Sequence, residues 1–78
     1  MNVNQLKKIL VIMGIPDRYY SINSGLKPDS FILRNVYAYW EYFYMDERGG
    51  ENEYKRFESE SEACDFFFTV MKEQSKYF

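Results

Sequence analysis

Residues 31–45, Phe31-Ile32-Leu33-Arg34-Asn35-Val36-Tyr37-Ala38-Tyr39-Trp40-Glu41-Tyr42-Phe43-Tyr44-Met45, decide the fold. So dense a run of aromatic and β-branched residues favours extended chain, where bulky side chains pack on a pleated surface. The stretch reads as two strands, Phe31 to Arg34 and Tyr37 to Met45, with Asn35 as the turn residue between them. Strand alternation sets Trp40, Tyr42 and Tyr44 on one face and Tyr39, Glu41, Phe43 and Met45 on the other. Glu41 marks the second face as lying outside the core, so Phe43 and Met45 are expected to be exposed beside it. A surface that mixes aromatic, Met and charge suits an interface, and cover by the N-terminal loop is the alternative.

Downstream, Glu47-Arg48-Gly49-Gly50-Glu51 reverses the chain and Glu53 to Phe57 returns as a further strand. Upstream, Tyr19-Tyr20-Ser21-Ile22 is a short strand or extended segment ended by Asn23-Ser24-Gly25, and Lys27-Pro28-Asp29 punctuates the chain again. The middle of the chain is therefore expected to be an antiparallel meander. Asn2 and Gln5 form a capping box ahead of Val3, Leu6, Ile9, Leu10 and Met13, which recur at helical spacing and predict a helix over 3–13. Gly14 and Pro16 stop it, and Val11 and Ile12 widen its apolar stripe toward some further contact. Ser59-Glu60-Ser61-Glu62 opens a second helix, about 60–75, through Ala63, Phe66, Phe67, Val70 and Met71. The expected fold is α+β: a small antiparallel meander of three to four strands, with the N-terminal and C-terminal helices packed on one face and the other face uncovered. Leu6, Leu10, Met13, Trp40, Tyr42, Phe67 and Met71 form its expected core.

At 78 residues the chain holds one domain, 1–78, and a domain this small leaves much of its surface to a partner. It has no histidine and one cysteine, which exclude a disulfide framework, histidine-based catalysis and a nitrogen or sulfur zinc site. No apolar run is long enough to cross a bilayer, and Met1 to Gln5 lack the features of a signal peptide, so a cytoplasmic protein without membrane contact is expected. Charge is uneven: residues 1–40 carry five basic and two acidic side chains, whereas 41–78 carry five basic and ten acidic. An acidic field of this kind repels nucleic acid and favours a basic partner.

The acids of the turn and of the second helix start, Asp46 with Glu47 and Glu58 with Glu60 and Glu62, are of a type that serves acid–base chemistry or a hard cation. Their positions assign them first to a solvated turn and to a helix dipole. The serines have no histidine to activate them. Cys64, early in the second helix among Glu60, Glu62 and Asp65, reads as a small buried residue rather than a reactive thiol. Neither a cofactor nor a metal is expected, and the chain reads as a binder rather than an enzyme.

The chain also resembles a family of small bacterial immunity proteins encoded beside polymorphic or contact-dependent toxins, including those paired with Maf-type toxins. The resemblance rests on the helix ending in Gly14-Ile15-Pro16, on Tyr20-Ser21-Ile22, on the aromatic strand around Trp40, on Glu47-Arg48-Gly49, and on Phe57 leading through Ser59-Glu60-Ser61-Glu62 to Ala63-Cys64. Val36 departs from it, standing where a glycine belongs in the hairpin turn. The resemblance implies a protein that binds and neutralises the toxin domain of its own locus, some such toxins being EndoU-like RNases. The expected partner surface comprises Tyr39, Phe43, Met45, Asp46, Glu47, Glu51, Glu58, Glu60 and Glu62, facing a basic toxin domain, with no direct nucleic-acid contact. Self-association into a homodimer through the uncovered sheet face is a further expectation. The alternatives are a structural homo-oligomeric module and a small carboxylate enzyme, the latter marked by a concave pocket with two converging acids.

Overall fold

The computed structural model describes residues 1–78. Its order is α1 (Val3–Ile12), β1 (Tyr20–Ile22), β2 (Ser30–Val36), β3 (Tyr39–Met45), β4 (Glu51–Phe57) and α2 (Glu60–Gln74), with short 3-10 turns at Asp17–Tyr19 and Ser75–Tyr77. The four strands form one sheet in sequence order, and the class is α+β as expected.

Local chemistry sets the helix ends. Gln5 N donates to Asn2 Oδ1 while Asn2 N donates to Gln5 Oε1, closing the capping box of α1. Ser59 Oγ accepts from Glu62 N at the start of α2. Glu60 Oε2 then accepts from Val3 N at 2.8 Å, which fastens the two helix starts side by side. Because α1 ends at Ile12 and Gly14 takes a left-handed φ of 74°, Met13 turns outward to 37% exposure and Ile15 enters the core in its place. Met13 is thus corrected from core to surface.

The strands β2, β3 and β4 pair antiparallel, as the meander requires. β1 does not follow that rule: it pairs parallel to β2, Tyr20 beside Phe31 and Ile22 beside Leu33. Asn23 explains the direction. Its amide donates to Leu33 O and its Oδ1 accepts from Asn35 N, so the chain leaving β1 is held in register along β2 instead of reversing beside it. A parallel return usually needs a dozen or more connecting residues. With only three residues of strand to retrace, the loop 23–29 suffices.

The β2–β3 turn is also displaced from expectation. β2 continues through Asn35 to Val36, and the turn is Tyr37-Ala38, with Tyr37 at a left-handed φ of 54°. Asn35 is a strand residue whose Nδ2 donates to Tyr39 O across the hairpin. The displacement leaves the alternation of β3 intact.

Both helices pack on the Trp40–Tyr42 face. Leu6, Leu10, Ile15, Ile22, Phe31, Leu33, Trp40, Tyr42, Ala63, Cys64, Phe67 and Met71 make one continuous core there. Each large apolar side chain so buried stabilises the fold by about 1.5–3 kcal/mol.

Candidate functional site

The face away from the helices is not open. Ile32, Phe43 and Met45 form a second buried cluster, so Phe43 and Met45 are corrected from exposed interface residues to interior ones. Two devices close this face. Ser21 Oγ donates to Gly25 O and Ser30 Oγ donates to Lys27 O, drawing the backbone of the β1–β2 loop toward the buried strand residues. Farther along, the Arg34 guanidinium lies 5.2 Å from the Phe43 ring centroid, and Arg34 Nε donates to Glu41 Oε1 at 2.8 Å. Tyr54 Oη donates to Glu41 Oε2, and Arg56 stacks 3.8 Å over the Tyr39 ring.

Glu41 is therefore 8% exposed and fully partnered. The Tyr54 hydrogen bond, aided by Arg34, holds its carboxyl below the ordinary value against the opposing effect of burial. The same bond pushes the Tyr54 hydroxyl up to about 12. The charge of Glu41 does not mark an exposed face, because a carboxylate with two good donors is stable inside. Phe43 and Met45 are consequently not exposed for the self-association expected on this face. Tyr54 of the lid is itself half exposed, and further exposed apolar side chains lie on α1, at Val11 and Ile12.

The acids expected to form one partner surface lie at two ends of the sheet. Asp46, Glu47 and Glu51 flank the β3–β4 turn, whereas Glu58, Glu60 and Glu62 lie beyond the far end of β4, which at strand rise is about 20 Å long. The second group also has structural partners: Glu58 faces Arg56 at 3.7 Å, Glu60 holds α1, and Glu62 Oε1 accepts from Ser59 Oγ. In the first group, Asp46 shapes its own turn. Its Oδ1 accepts from Arg48 N and Gly50 N, and Asn52 Nδ2 donates to its Oδ2; these bonds lower its pKa, the Gly50 amide most. A Cβ added at Gly50 would meet Asp46 Oδ2 at 2.7 Å, so a side chain there would push the Asp46 carboxylate from its place in the turn. Glu47 and Glu51 remain exposed.

The turn acids join a feature spread over the whole sequence. Beside the C-terminal half of α2, a cavity of about 460 Å³ is lined by Tyr19, Phe31, Tyr44, Tyr77 and Phe78 together with Asp29, Glu53 and Gln74. The Phe78 ring stacks on Tyr19 at 3.9 Å and 5°, and Phe31 meets Tyr44 at 4.9 Å, giving a nearly continuous aromatic wall. Asp29, Asp46 and Glu47 all act on the Tyr44 hydroxyl and, after burial, raise its pKa. This is the candidate site: an aromatic recess rimmed by acids, at the end of the sheet where β2 begins and β3 ends.

Glu53 reaches the recess through a β-bulge. Tyr42 pairs with Lys55 and Tyr44 with Asn52, so Glu53 and Tyr54 together oppose Phe43. Glu53 holds a left-handed φ of 57°, a conformation that glycine would adopt more cheaply. Asp29, at the start of β2, is also left-handed, with φ of 55°. Of the recess residues, none belongs to the partner surface expected from sequence. A bulge and a ring pair between Tyr19 and Phe78 leave no periodic signal in the chain.

Elsewhere, burial pushes the Cys64 thiol up to about 11, with Glu60 and Asp65 adding to the effect, so it stays protonated as a small core residue. No group of three histidine, cysteine, aspartate or glutamate side chains is placed to hold a metal ion, and no helix is long and apolar enough to cross a membrane. No family model, curated protein or solved structure matches this chain.

Proposed function

We propose that this chain is a cytoplasmic immunity protein that binds a basic toxin domain encoded at its own locus and neutralises it by occupancy, without chemistry of its own. An EndoU-like RNase is one form that toxin takes in the resembling family. The observation that supports this reading is the aromatic recess that Asp29 and Glu53 line, at the end of the sheet where Glu47 and Glu51 are exposed. Acids at the rim steer a basic partner into place, and aromatic side chains hold it once water is displaced.

The test is coexpression. A host arrested by the neighbouring toxin domain should grow when this chain is supplied, and the two proteins should copurify. Glu47→Lys with Glu51→Lys should slow association several-fold at low salt and little at high salt. Glu60 is unsuited to this test, since its reversal would unfasten α1 from α2. Continued arrest with no copurification would dismiss the assignment.

One observation favours a second reading. Asp29 and Glu53 line a single cavity beside rings, an arrangement that a small carboxylate hydrolase acting on saccharides would also use. Turnover of a saccharide substrate that disappears in Glu53→Gln would establish it in place of the first.

A further inference from the structure

The protein's cations and aromatic rings are paired almost everywhere they meet. Arg34 covers Phe43, Arg56 covers Tyr39, Lys55 covers Phe66, and Arg18 lies 4.8 Å from the centroid of Tyr19. The recess beside α2 is the exception, Tyr19 being its one ring with a cation beside it. Its wall of Phe31, Tyr44 and Phe78 has no lysine or arginine among its lining residues, and its charged groups are the carboxylates Asp29 and Glu53. Neither carboxylate belongs to any of the chain's ion pairs. Nearby Lys27 is engaged elsewhere, donating to Asp17 O and Tyr20 O.

We infer that this recess receives the guanidinium or ammonium group of an arginine or lysine side chain projecting from a protein partner. Aromatic rings attract a cation that reaches their faces, and two carboxylates that belong to no ion pair line the same recess, so a cation gains from both. A neutral group of the same shape gains from the rings alone. A volume of about 460 Å³ accommodates one such side chain and the backbone that carries it. The identity of the partner as a toxin domain rests on the function proposed above, whereas the chemistry of the inserted group rests on the recess.

The experiment is a titration of the full chain followed by aromatic proton–carbon NMR. The probes are N-acetylarginine methylamide, its uncharged citrulline counterpart, spermidine and a neutral oligosaccharide. The arginine probe is expected to shift Phe31, Tyr44 and Phe78 selectively, and the citrulline probe to bind at least about tenfold more weakly. Asp29→Asn combined with Glu53→Gln should weaken arginine binding by about tenfold or more while the remaining spectrum stays dispersed, since asparagine accepts a left-handed backbone and glutamine matches the shape of Glu53. Tyr44→Leu, which keeps both acids, should weaken it independently. Equal binding of the arginine and citrulline probes, a double variant that binds as well as the parent, or shifts caused only by a neutral oligosaccharide would each overturn the inference. Spermidine binding more than about tenfold tighter than arginine would overturn the protein-side-chain source in favour of a free polyamine. With the toxin domain, loss of probe binding but full protection by the double variant would overturn the recess as the docking point and leave the immunity assignment standing. Probe binding by a chain that protects against no toxin would do the reverse.

Discussion

The two faces of the sheet reach the same depth of burial by different means. On one face, Phe67 from α2 is fully buried among Leu6, Leu10 and Met71, hydrocarbon against hydrocarbon. On the other, Phe43 is just as fully buried, yet a lid of Arg34, Glu41 and Tyr54 and a loop tied down by Ser21 and Ser30 stand where helices would otherwise be. Both clusters draw on strand β3, whose alternate residues enter one or the other. A long guanidinium with its charge satisfied at the far end covers an aromatic ring with its planar face, so a polar lid can close a small apolar cluster that no helix reaches. The two means of closure differ in what they respond to: the helix face to volume, the lid face also to charge.

The sharpest way to break this comparison is to truncate both rings. Phe67→Ala should cost about 4 kcal/mol, since helix, strand and ring cannot all collapse into the space left. Phe43→Ala should cost somewhat less, about 3 kcal/mol, because the Arg34 stem can settle inward. Urea unfolding of both variants measures the pair, and a cost near zero for Phe43→Ala would show that the lid face is not a second core.

Next in size is the lid itself. Glu41→Ala should cost about 1–2 kcal/mol, as Tyr54 and Arg34 lose their shared acceptor at a site still partly open to water. Acid should expose the same dependence. The folded carboxyl of Glu41 lies below its ordinary value of 4.5, so its contribution is complete above that pH and is lost as pH falls through the folded value. Parent protein should therefore lose stability faster than Glu41→Gln on acidification below about 4.5, whereas the ratio between parent and Phe67→Ala should not change with pH in that window.

A smaller effect of opposite sign is expected at the bulge. Glu53→Gly should raise stability by about 0.5–1 kcal/mol by relieving the left-handed backbone, and should weaken cation binding in the recess. Thermal unfolding and the arginine titration together read the opposition. Smallest is the hairpin tip, where Tyr37 is left-handed and 95% exposed. Tyr37→Asn should gain a few tenths of a kcal/mol, visible as a slight rise in unfolding midpoint, with neither face of the sheet affected.

Much of the architecture is legible along the chain because it depends on near neighbours. The Asn2–Gln5 box, the Gly14 stop, the Gly49–Gly50 reversal and the Ser59 cap are contacts within a few residues, and each appears where the spacing predicts. The alternation of β3 likewise follows from strand geometry, with Trp40 and Tyr42 against the helices even though the turn lies two residues beyond Asn35. The direction of β1 was not legible, because it depends on Asn23 reaching the backbone of Leu33 and Asn35 across the sheet.

The candidate site was the least legible part. The expected surface read acids by their closeness in sequence, but Glu58, Glu60 and Glu62 are separated from the turn acids by the length of β4, and Glu60 is consumed in joining two helices. The recess gathers Tyr19, Asp29, Phe31, Tyr44, Glu53 and Phe78, which the topology alone makes neighbours. What the sequence by itself determined, then, were the elements, their caps and the two-sided chemistry of β3, all governed by short-range sterics and hydrogen bonds. Only the tertiary structure decided which side of β3 would be closed and by what. A charge can be buried wherever distant donors meet it, and whether Arg34 and Tyr54 meet Glu41 is a matter of strand register and of one bulge at Glu53, which no local pattern encodes.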